Sequence, residues 1–135
     1  IGPTHHNEGF TFDYDLPKET AYAETCASIA LANWAHRMFH MEPNSEYIDV
    51  LERTIYNGII SGLNLNGDRF FYSNRLAALP KEIEANPHGF SLQRQPWFDV
   101  ACCPTNIVRF LPSIPGFIYS KNNTGLINLP TKSKI

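Results

Sequence analysis

Residues Leu31–Ile60, "LANWAHRMFHMEPNSEYIDVLERTIYNGII", decide the fold class. Leu31, Ala35, Met38 and Phe39 recur at helical spacing and make one apolar face. That helix reaches back to about Lys18 and forward to Met41, and Pro43 ends it. Asn44 or Ser45 can cap a second helix running to about Gly62, in which Tyr47, Leu51, Ile55 and Ile59 repeat every four residues. Two amphipathic helices with so short a connection form an αα-hairpin.

Outward from the hairpin the pattern changes. In "LNLNGDRFFYSN", residues 63–74, the Asn66-Gly67 pair signals a hairpin turn before an aromatic strand. Residues 75–91 read as a loop with Pro80 and Pro87, and "LQRQPWFDVA", 92–101, as a short strand. Pro104 suits the first position of a helix capped by Cys103 and ending near Leu111. "GFIYS" and "GLINL" are further short strands, and the opening residues 1–17 are a loop. The class is mainly α with short β elements.

The 135 residues fit one domain, and 43% hydrophobic residues supply a core. A net charge of −2, from 11 basic and 13 acidic residues, gives no electrostatic reason to expect nucleic acid or an anionic membrane. No apolar run approaches the length of a membrane span, and no signal peptide is visible.

The three cysteines are Cys26 and the adjacent pair in "DVACCPTN", residues 99–106. An odd count argues against a disulfide framework, and neighbouring cysteines rarely pair with each other. A bridge from Cys26 to Cys102 or Cys103 would leave one thiol over. Reduced thiols in a cytoplasmic setting, or thiolates on a metal, fit better. Glu24, Cys26, Cys102 and Cys103 would complete a tetrahedral Zn2+ site. Cys102 and Cys103 need a loop-to-helix junction to aim at one point, and a helix N-terminus there favours thiolate. Glu24 and Cys26, two apart, need a non-helical first turn. The competing reading is buried apolar cysteines beside a solvated glutamate.

Other residues carry weaker signals. His36 and His40 share a helix face, but "HRMFH" lacks the glutamate of a metalloprotease motif, so a surface pair is expected. Glu8, Asp13, Asp15 and Glu24 crowd Phe10, Phe12 and Tyr14, which suits a sugar site or a charged loop equally. His5 and His6 flank Glu8 in sequence. Glu52 is expected to face solvent and Tyr72 to pack in the core. With no Gly-rich phosphate loop and no GxSxG elbow, a nucleophile would have to be cysteine.

Three stretches, "NEGFTFDYDLPKETAYAETCAS", "ERTIYNGIISGLNLNGDRFFYSN" and "RQPWFDVACCPTNIVR", together resemble the zinc- and cysteine-dependent β-L-arabinofuranosidases. The resemblance implies part of an (α/α)6 barrel catalytic domain across residues 1–135, incomplete at both ends, with β-sandwich domains in complete members. It implies Cys102 as nucleophile and Glu8 as general acid/base. Glu24, Cys26, Cys102 and Cys103 become Zn2+ ligands, and Glu52 and Tyr72 sugar contacts. "NEGF" stands where many members have "GEAF", and the glutamate is kept. The implied reaction is retaining hydrolysis of a terminal β-linked L-arabinofuranose from an arabinofuranosyl-containing saccharide. Helix faces meant for the remainder of a barrel would be exposed, so the chain is expected to oligomerise or to associate with the missing parts of the fold. The alternative is a non-catalytic zinc-binding helical module or a subunit of a larger assembly.

Overall fold

In the computed structural model, residues 12–15, 17–19, 21–77, 79, 91–122 and 125–128 are described. Helix α1 spans Thr25–Met41, later than its apolar pattern suggests. Ala23 adopts a left-handed backbone with φ 40°, and Glu24 is extended and bridges to Ser73. The Thr25 N–H donates to the Tyr72 carbonyl at 3.0 Å and the Asn74 N–H to the Ala23 carbonyl at 2.9 Å. The Thr25 hydroxyl donates to the Phe71 carbonyl at 2.9 Å. Residues committed to that pairing cannot begin a helix, so α1 starts where it ends.

The buried face of α1 is Thr25, Ile29, Ala32, Ala35 and Phe39. Leu31 and Met38, expected on that face, are only half-buried. Small residues at 32 and 35 let the second helix approach closely, which rotates the buried stripe toward them. Helix α2, Ser45–Thr54, is capped as expected: the Asn44 side chain accepts from the Glu46 N–H at 3.0 Å. It continues through a π-helical turn, Ile55–Ile59, and a 3-10 turn, Ile60–Gly62. Ile48, Leu51, Ile55 and Ile59 bury against α1, completing the hairpin. Gly58 is the point of closest approach: a Cβ there would stand 2.7 Å from Ser28 Oγ and 3.0 Å from Ser28 Cβ.

The chain then turns. Gly67 takes φ +73°, and the Asn64 side chain accepts from the Asp68 and Arg69 N–H groups at 3.1 and 2.9 Å. The turn is therefore wider than a two-residue hairpin. The expected strands on either side are reduced to single bridges, Leu63 to Phe70 and Phe70 to Gln95. Pro96, with no N–H, stops the second from extending. Arg94 closes the end of the 3-10 turn, donating to the Ser61 carbonyl at 2.7 Å and the Gly62 carbonyl at 3.2 Å.

Helix α3, Cys102–Phe110, starts before Pro104, with Ala101 as its cap residue, so Cys103 lies inside the helix instead of capping it. Pro104 still fits, because first-turn N–H groups have no acceptor within the helix. Ile107 and Phe110 join the core. A 3-10 turn, Leu111–Ser113, leads to one-turn helix α4, Pro115–Ile118. Strand β1, Tyr119–Asn122, then pairs antiparallel with β2, Gly125–Asn128, in register Tyr119 to Asn128. "GFIYS" is thus half helix, half strand. Trp34 on α1 and Val108 on α3 stay largely exposed. Among the described residues no helix is long and apolar enough to cross a membrane.

Candidate metal centre

The N-termini of α1 and α3 meet. Glu24 occupies the cap position of α1, yet its side chain caps nothing there. Its carboxylate turns to the facing helix instead: Oε1 lies 3.3 Å from Cys102 Sγ and 3.7 Å from Cys103 Sγ. The extended backbone at Glu24 is the non-helical first turn that lets it share a point with Cys26. Cys102 and Cys103 open α3 with their sulfurs 3.8 Å apart, and Cys26 Sγ is 3.4 Å from Cys103 Sγ. All three cysteines are free thiols. The four donor atoms lie within 4.8 Å of one another.

The donor set can hold a metal ion. Thiolates at about 2.3 Å from a tetrahedral Zn2+ stand roughly 3.8 Å apart, close to the sulfur separations here. Burial pushes the Cys26 thiol up to about 12, against the hydrogen bond from Asn106, and burial also pushes the Cys103 thiol up. The Cys26 and Cys103 thiols therefore give up their protons readily only where a nearby cation balances the charge. Glu24 and Cys103 are buried, whereas Cys26 and Cys102 are partly open.

Tyr72 is buried with its Oη 3.4 Å from Cys102 Sγ. Tyr22 packs edge-on against its ring at 6.3 Å and Phe98 tilts on it at 5.9 Å. Burial and the contact with Cys102 raise the phenol pKa, so it stays a neutral hydrogen-bonding group. Sequence reasoning gave no role to Asn106, whose Nδ2 donates to Cys26 Sγ at 3.1 Å. Arg109 Nη2 holds the Asn106 Oδ1 at 3.3 Å. The signal was present: Asn106 lies four residues after Cys102, on the same helix face one turn on.

Glu52 sits half-buried on α2, and among the described residues no hydrogen bond ties it to the cluster. Glu8, His5 and His6 fall outside the described residues.

Fold and site together define a mainly helical domain in which two helix N-termini meet at a carboxylate–trithiol cluster that could hold a metal ion. Residues 1–116 match the β-L-arabinofuranosidase GH127 catalytic domain, and the chain belongs to that family. It is 45% identical over 127 residues to a non-reducing end β-L-arabinofuranosidase of Bifidobacterium longum subsp. longum, covering 93% of this chain and 19% of that protein. A solved GH127 β-L-arabinofuranosidase from Geobacillus stearothermophilus superposes with TM-score 0.88 at 46% identity, over 96% of this chain and 21% of the other. A second solved GH127 β-arabinofuranosidase gives 0.83 at 43%, over 96% and 19%. The chain thus spans about a fifth of the length of these relatives, and its helices are part of an (α/α)6 barrel.

Proposed function

We propose that the chain carries the reacting thiol of a retaining glycoside hydrolase that releases terminal β-linked L-arabinofuranose. The observation that carries this is the meeting of Cys102 with Glu24, Cys26 and Cys103 at two helix N-termini, with Cys102 partly open and beside Tyr72. Glu24, Cys26, Cys102 and Cys103 would hold Zn2+. When bound, the ion keeps the sulfurs deprotonated and in place at neutral pH.

Cys102 Sγ forms a bond to the anomeric carbon as the bond from that carbon to the leaving oxygen breaks. Glu8 gives its proton to that oxygen. Water then attacks the same carbon, Glu8 takes a proton from the water, and Cys102 leaves as thiolate. Two displacements return the sugar with its configuration kept. Tyr72 hydrogen-bonds Cys102 and orients it, and Cys103, fully buried, serves the fold and the metal alone. Glu52 contributes a contact to the sugar. The remaining parts of the barrel cover the exposed apolar faces around Trp34 and Val108 and complete the pocket, so residues 1–135 make a partial domain.

Release of the aryl group from an aryl β-L-arabinofuranoside tests the reading. The protein turns this substrate over when joined to the rest of its barrel, and Cys102→Ala abolishes the reaction. Turnover that survives Cys102→Ala overturns the nucleophile. Stoichiometric Zn2+ without turnover supports a metal-binding module instead.

A further inference from the structure

The far end of α1 carries two imidazoles that the proposed reaction does not use. His36 and His40 stand one turn apart, with Nε2 atoms 3.1 Å from each other. They lie about 15 Å or more along the helix axis from Cys26, so they do not belong to the thiol cluster.

Neither ring is free to wander. His36 is packed between two aromatic neighbours: the His40 ring at 4.4 Å and 83°, and the Phe117 ring of α4 at 4.6 Å and 65°. Phe39 adds an edge contact to His40 at 6.2 Å. In this packing the two Nε2 atoms stand 3.1 Å apart. His40 is exposed and His36 half-buried, so the pair is reached from solvent.

We propose that His36 and His40 form a separate cation site, chelating one borderline divalent ion such as Ni2+, Cu2+ or Zn2+ through their two Nε2 atoms, with water completing the shell. Two imidazole nitrogens each about 2.0–2.1 Å from one ion stand roughly 2.9–3.4 Å apart as the angle between them opens from square to tetrahedral. The observed 3.1 Å falls inside that range. Chelation replaces the hydrogen bond between the two nitrogens. Imidazole selects for this group of metals over Mg2+ and Ca2+, which prefer oxygen.

The test is Ni2+ binding by calorimetry to untagged protein that has received one equivalent of Zn2+ for its thiols. One further Ni2+ binds per chain. His36→Gln and His40→Gln each weaken it by about tenfold or more, because a single imidazole loses the gain from chelation. His5→Gln and His6→Gln leave it unchanged. His40 is exposed, so its variant folds and decides the matter if His36→Gln does not. The proposal is overturned if no Ni2+ binds, if His40→Gln binds as the parent does, or if the loss follows His5 or His6 instead.

Discussion

Asn106 donates a hydrogen bond to the sulfur of Cys26 at 3.1 Å, joining α3 to α1 beside the carboxylate–thiol cluster. Arg109 fixes the other end of that amide, so the N–H is aimed and not merely near. A donor aimed at a thiolate stabilises its charge and orients its lone pairs.

Asn106→Leu, which keeps the volume and removes the donor, should therefore weaken Zn2+ binding about 10- to 100-fold. Competition against a chromophoric chelator measures this without any substrate. An unchanged affinity would show that the amide serves only packing.

Metal removal should make stability pH-dependent in the alkaline range. The Cys26 thiol, ordinarily at 9.0, is raised to about 12 in the fold, chiefly by burial. The folded chain therefore favours the neutral form. The stability this contributes is present below 9.0 and is lost as pH rises toward about 12. Denaturation midpoints of metal-free protein should fall between about pH 8 and about pH 10.5, and Cys26→Ala should flatten the fall. Protein loaded with Zn2+ should show little of it, since its sulfurs are already ionised.

Gly58 allows α1 and the π-helical turn to touch. Gly58→Ala places a methyl group 3.0 Å from Ser28 Cβ, which cannot rotate away. The expected cost is about 1–3 kcal/mol, read from the denaturant midpoint. Ser28→Gly in the same chain should recover part of it. A Gly58→Ala protein as stable as its parent would count against the close packing.

Tyr72→Phe separates the hydroxyl from the ring. Contacts with Phe98 and Tyr22 involve the ring, so the fold should persist. Loss of a hydrogen bond of about 0.5–1.5 kcal/mol to Cys102 should lower turnover of an aryl β-L-arabinofuranoside about two- to tenfold. Full activity in the variant would leave Tyr72 a packing residue.

What could be read from the chain follows from how local each feature is. Ile55 and Ile59 announce the second helix because their spacing needs no distant partner, and Asn44 caps it through a neighbour two residues on. The start of α1 is not legible locally, because it depends on Ser73 and Tyr72, which pair with Glu24 and Thr25 from far along the sequence. Leu31 gave way to Ala32 for the same reason: the buried stripe is chosen by what α2 needs. Glu24, Cys26, Cys102 and Cys103 come together as the expected donor set requires, but spacing alone left that set beside the reading of buried cysteines and a solvated glutamate. For Asn106 the sequence offers only its place one turn after Cys102; its partner Cys26 lies 80 residues away.

That same distance gives the cluster a meaning in folding. Cys26 and Cys103 are separated by 77 residues, and α2 and the Phe70 bridges lie between them. An ion held by both ends closes a loop of that length, and closing it in an unfolded chain costs roughly 4–5 kcal/mol of entropy. The folded chain has already brought the ends together. A cation should therefore bind late, after the hairpin and the Phe70 bridges have formed, and then act as a reversible staple whose release lets α1 and α3 part first.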